Sequence, residues 1–132
     1  MDVQQLADGL WRWTTAISGS VYYEAPDAVT LFDPLVPAGE EDQFLVHLDR
    51  DVERLGLPVS ILLTAGRNER SAPFLRERYG ADDRVPATVE PYPVGDWIAY
   101  FIRPHRALVV ATPDQTPNGL PVELVLVSEL AG

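Results

Sequence analysis

The residues of this chain able to bind anions or do acid–base chemistry concentrate in one short segment. Gly66-Arg67-Asn68-Glu69-Arg70 follows the apolar run Val59-Ser60-Ile61-Leu62-Leu63-Thr64 and precedes Ser71-Ala72-Pro73, which reads as a helix start. A strand that runs through a loop into a helix presents backbone N–H groups where an anion binds, and Arg67 and Arg70 add guanidinium donors suited to carboxylate or phosphate. Glu69 opposes an anion there, and loop arginines more commonly pair with neighbouring acids. Asp33 ends the run Ala28-Val29-Thr30-Leu31-Phe32 beside the same crevice. The plain role of an aspartate before Pro34 is an Asx-type hydrogen bond that shapes the turn; the sharper one is catalysis.

Both histidines lie elsewhere. His47 and Asp51 are one helical turn apart and have the spacing to share a metal, but among Asp49, Asp51 and Glu53 they read more simply as a solvated helix face. His105, in Arg103-Pro104-His105-Arg106, reads as a turn residue, since a general base needs an orienting partner that the sequence does not name. Trp11, Trp13 and Trp97 read as core or interface aromatics.

Composition narrows the chemistry further. The chain has no cysteine, and all ten basic residues are arginine, which excludes thiolate, Schiff-base and P-loop lysine chemistry. Twenty acidic residues give a net charge of −10, so no nucleic-acid partner is expected. No apolar run approaches the ~20 residues that cross a bilayer, and Met1 to Gln5 lacks the features of a signal peptide, so no membrane partner and a cytoplasmic location are expected. At 132 residues and 46% hydrophobic content, one domain spanning 1–132 is expected.

The elements that must position these residues are legible as changes of period. Leu10 to Ala16, Val21 to Glu24 and Ala28 to Phe32 read as three strands of an antiparallel meander. Phe44, Leu48, Val52 and Leu55 recur at helical spacing up to Gly56. Val59 to Thr64 is too apolar to have a solvent face and reads as a central strand. Ser71 as N-cap, Pro73 in the first turn and Gly80 at the end predict a second helix. Trp97 to Ile102, Ala107 to Ala111 and Val122 to Val127 read as three more strands. The fold class is therefore α/β (α+β): a mixed, largely antiparallel sheet with two main helices on one face.

This order, with the phrases Leu31-Phe32-Asp33-Pro34-Leu35 and Ile61-Leu62-Leu63-Thr64, resembles the amino-terminal half of the metallo-β-lactamase fold family. In that family the buried strand leads into Thr-His-x-His-x-Asp-His. The resemblance implies an αββα sandwich with one or two metals at the loop and a metal-bound hydroxide as nucleophile. Placed on this chain, the motif begins at Thr64, but its histidine positions hold Ala65, Arg67 and Arg70, and its aspartate position holds Glu69. Arginine offers only donors and positive charge, so these residues repel a dication. The family's second metal region has its nearest counterpart at Val109 to Asp114, where only Asp114 has a suitable side chain.

The resulting expectation is a shortened, non-catalytic relative with no metal and no cofactor, acting as a structural or regulatory module. Half a sandwich would leave one apolar sheet face bare, so a homodimer burying above ~2,000 Å² in total is expected to cover it. Two alternatives stand beside it. One is binding of a small anion by Gly66, Arg67, Asn68 and Arg70, with Asp33, Glu69 and Asp114 around them. The other is a residual hydrolase using Glu69, Asp114 or His105 with a weakly held metal.

Overall fold

A computed structural model describes residues 2–14, 19–111 and 122–126. Alternation sets the first sheet: along β2 (Leu10–Thr14), Trp11 and Trp13 project to one face while Leu10 and Arg12 project to the other. β1 (Asp2–Ala7), β2, β3 (Gly19–Glu24) and β4 (Val29–Phe32) pair antiparallel in sequence order, and β5 (Val59–Leu62) joins β4 in parallel, giving a five-stranded mixed sheet. The β4–β5 crossover carries α1 (Glu41–Leu55), as a parallel pair requires. α1 buries Phe44 and Leu48 and stops at Gly56, whose φ of +63° supplies the left-handed end and whose N–H donates to the Val52 carbonyl at 3.0 Å. α2 (Ala72–Tyr79) follows β5 and buries Ala72 and Leu75.

Register divides the core in two. Val29 and Leu31 pair with Val59 and Ile61, and these four, with Trp13 and Tyr22, meet Phe44, Leu48, Ala72 and Leu75 from the helices. Each such aliphatic side chain contributes about 1.5–3 kcal/mol by leaving water. On the opposite face, Leu10, Val21, Tyr23, Phe32 and Leu62 pack on a second sheet through Val89, Tyr100, Ile102, Ala107 and Val109. That sheet is antiparallel and four-stranded: β6 (Val89–Val94), β7 (Trp97–Ile102), β8 (Ala107–Ala111) and β9 (Val122–Leu126). The Phe32 and Tyr100 rings meet across the layers, with centroids 5.4 Å apart.

Mixed α+β content with both helices on one face of the first sheet agrees with the sequence expectation. Four details differ. β5 is not central: it ends the strand order, although both its faces are buried. Its open edge is closed by Asp82, which accepts from the Ile61 N–H at 2.8 Å and donates to the Val59 carbonyl at 3.2 Å. β1 and β6 are additional strands. The Ser71 hydroxyl does not cap α2; it accepts the Val36 N–H at 2.9 Å. The second face of the first sheet is covered within the chain, by side chains of β6, β7 and β8, so no partner is needed to cover it. Among the described residues no helix is long and apolar enough to cross a membrane.

Candidate functional site

The parallel pair β4–β5 ends with Asp33 and Thr64 side by side, and the next residues turn back over them. Gly66, Arg67 and Asn68 form one 3-10 turn, closed by the Asn68 N–H donating to the Ala65 carbonyl at 3.0 Å. This turn brings the Asn68 amide down onto Asp33, whose side chain is wholly buried (0% exposed). The carboxylate accepts from the Thr64 N–H at 2.8 Å, the Thr64 hydroxyl at 2.5 Å and Asn68 Nδ2 at 3.0 Å. Asn68 Nδ2 also lies 3.2 Å from Thr64 Oγ1. Charge-assisted bonds of this kind are roughly twice as strong as neutral ones, and a buried carboxylate requires them.

Arg70 crosses over the same point. Its Nη1 donates to the carbonyls of Gly19 at 2.7 Å and Asp33 at 2.8 Å, tying the start of β3 to the end of β4. The Asp33 carbonyl also accepts the Ser20 hydroxyl at 2.8 Å, and that hydroxyl accepts the Leu35 N–H at 3.2 Å. The second sheet attaches here too: the Ile98 N–H donates to the Thr64 carbonyl at 2.8 Å, and the Tyr100 hydroxyl to the Leu63 carbonyl at 3.0 Å. One cluster therefore links β3, β4, β5, the loop and β7.

Two residues of this cluster hold left-handed backbone without being glycine: Asp33 at φ +49° and Arg70 at +46°. Such conformations cost on the order of 1–3 kcal/mol each and persist only where the surroundings enforce them, with aspartate among the more tolerant types. Burial raises the Asp33 carboxyl above its ordinary value, against the lowering effect of the Thr64 and Asn68 hydrogen bonds and the Arg70 charge. Burial likewise lowers the Arg70 guanidinium, opposed by Asp33. The Tyr100 phenol is pushed up to about 12, by burial first and then by Asp33 and Asp83.

Of the residues singled out in the sequence, Asp33, Asn68 and Arg70 therefore come together, with Thr64 as a fourth member. Gly66 and Glu69 are exposed at the turn, and Asp114 lies outside the described residues. Among the described residues no three of His, Cys, Asp or Glu converge in a group able to hold a metal. His105 packs edge-on against Tyr23, with centroids 5.7 Å apart. His47 and Asp51 lie at the mouth of an apolar cleft between α1 and the first sheet. The sequence signal for the cleft is the Trp11/Trp13 alternation, which puts both indoles on the helix face.

No known family model matches this chain, and no curated protein matches it.

Proposed function

We propose that this is a non-catalytic, metallo-β-lactamase-like binding or regulatory module in which the family's metal-binding loop has become a structural latch. The observation that carries this reading is the commitment of Asp33, Asn68 and Arg70 to the fold. The Asp33 carboxylate accepts from Thr64 and Asn68, and Arg70 lies on two backbone carbonyls. A catalytic metal needs a fixed set of ligands with one open position, and a wholly buried aspartate already holding three donors is not such a ligand. The arginine-on-carbonyl arrangement also turns Arg70 inward, away from the role of an anion receptor. Metal analysis of protein purified without chelator is expected to find substoichiometric zinc, iron and manganese. One equivalent or more of any of them favours the residual-hydrolase reading.

A specific surface supports the homodimer. β7 alternates the buried Tyr100 and Ile102 with Ala99 and Phe101, and β8 alternates the buried Ala107 and Val109 with Leu108 and Val110. The second set is half-buried on the outer face of the second sheet, flanked by the exposed Tyr92 and Val94 of β6. Four strands at about 4.8 Å spacing and six residues at about 3.4 Å rise make a face roughly 20 Å square. A two-fold contact between two such faces covers roughly 800 Å² in total, below the ~1,200 Å² at which stable interfaces begin, so the expected dimer is weak. Light scattering coupled to size exclusion should therefore give a mass that rises with concentration towards the dimer. Phe101→Asp should hold it at the monomer. A wild-type monomer across the whole range would refute the dimer.

A further inference from the structure

The helix face of the first sheet is only partly covered. α1 and α2 lie over β3 to β5, and beside α1 the sheet opens into a cleft of about 330 Å³. Its floor is Trp11, Trp13, Tyr22 and Leu31, one wall is Phe44, His47, Leu48 and Asp51 of α1, and Val3 of β1 forms the opposite rim. That volume lies at the small end of ligand-binding pockets, which run about 300–1,000 Å³.

The aromatic lining is held in place before any ligand arrives. Trp13 Nε1 donates to the Leu35 carbonyl at 3.0 Å, and its ring rests 5.3 Å from Phe44. The Tyr22 hydroxyl donates to Glu24 Oε2 at 2.8 Å, and its ring meets Trp11 edge-on at 5.3 Å. With those polar atoms engaged, Trp13 and Tyr22 turn ring surface, not hydrogen-bond donors, towards the cleft. Charge selects further. Arg54 pairs with both Glu24, at 2.6 Å, and Asp51, at 3.3 Å, so two carboxylates face one guanidinium at this end. The local excess is negative, as is the chain's net charge of −10. Ring faces attract cations through their quadrupole, and a low-dielectric wall focuses the field of Asp51.

The geometry points to a binding site for a hydrophobic organic cation, with an aromatic or branched-alkyl body against Trp11, Trp13, Tyr22 and Phe44 and an ammonium group towards Asp51. This site shares no residue with the Asp33–Thr64–Asn68–Arg70 latch or with the dimer face.

The test titrates the full chain with 3-phenylpropylammonium, 3-phenylpropan-1-ol and 3-phenylpropanoate, read by tryptophan fluorescence. The ammonium should bind saturably and about tenfold tighter than the alcohol, which follows from a cation–π and carboxylate contribution of that order. The carboxylate should bind weakest. Asp51→Asn, a change at the half-exposed rim, should reduce the ammonium to about the affinity of the alcohol. Equal affinity for ammonium and alcohol, a preference for the carboxylate, an Asp51→Asn variant with unaltered ammonium affinity, or no saturable binding each overturns the proposal.

Discussion

Asp33→Ala is expected to destabilise the chain by about 3–5 kcal/mol, the range for removing one member of a buried, charge-assisted network. The side chain lost is small, so the cavity term is minor. The cost comes from the Thr64 N–H, the Thr64 hydroxyl and the Asn68 amide, all of which lose their acceptor in a space that water does not reach. Against a total stability of about 5–15 kcal/mol for a domain, the variant is expected at the edge of folding. Asp33→Asn is the informative companion. It keeps an acceptor for the Thr64 N–H but sets an NH2 group against the donors of Asn68, and should cost about 1–3 kcal/mol. Urea unfolding of the two variants tests the order. Equal stability of wild type and Asp33→Ala would show that Asp33 is no latch.

Arg70→Met is expected to cost about 2–3 kcal/mol at pH 7. The thioether fills most of the arginine stem but supplies no donor to the Gly19 and Asp33 carbonyls. The loss carries a pH signature. Burial holds the folded-state value of Asp33 above its ordinary 3.8, so the stabilisation linked to its protonation is complete below 3.8 and is lost as pH rises through the raised folded value, while its hydrogen bonds persist. The Arg70 charge limits that rise, and without it the folded value moves higher. The cost of Arg70→Met should therefore be smallest below pH 3.8 and increase as pH rises above it. Asp33→Asn, which cannot titrate there, removes this dependence when combined with Arg70→Met. A pH-independent cost that persists in the double variant would show that Arg70 acts through its hydrogen bonds alone and not through its charge on Asp33.

Much of this architecture follows from local pattern. α1 and α2 are legible because apolar residues recur at three- and four-residue intervals and Gly56 and Gly80 stop them. β4 and β5 are legible because an apolar run too short for a helix implies burial on both faces. That reasoning concerns faces and not edges, which is why β5 reads as central and yet ends the sheet: the neighbour that closes it is a bridge from Asp82, distant in sequence. β6 is obscured by Pro91 and Pro93, residues that weaken any strand pattern. Two residues apart, they withhold N–H groups on the same side, and as β6 is an edge strand that side is the open one, where missing donors discourage pairing with another chain. β1 is obscured because its strand, with Gln4 and Gln5 at its centre, is exposed for most of its length.

The candidate site was legible as a place more than as a mechanism. A loop between a buried strand and a helix drew attention to Asn68 and Arg70, and the strand end drew attention to Asp33. Their directions were not readable. Whether an arginine faces solvent or its own backbone depends on the left-handed turns at Asp33 and Arg70, which the residue types alone do not specify. The same limit applies to Ser71, whose hydroxyl serves Val36 instead of its own helix.

We propose that the Asp33–Thr64–Asn68–Arg70 cluster serves as a structural latch and not as a metal site. Thermal unfolding of the intact chain, with and without excess zinc or manganese, tests it most directly, because a metal bound selectively by the folded state must raise the midpoint. The midpoint is expected to be unchanged with either metal. A rise of several degrees that is abolished by Asp33→Asn would contradict it.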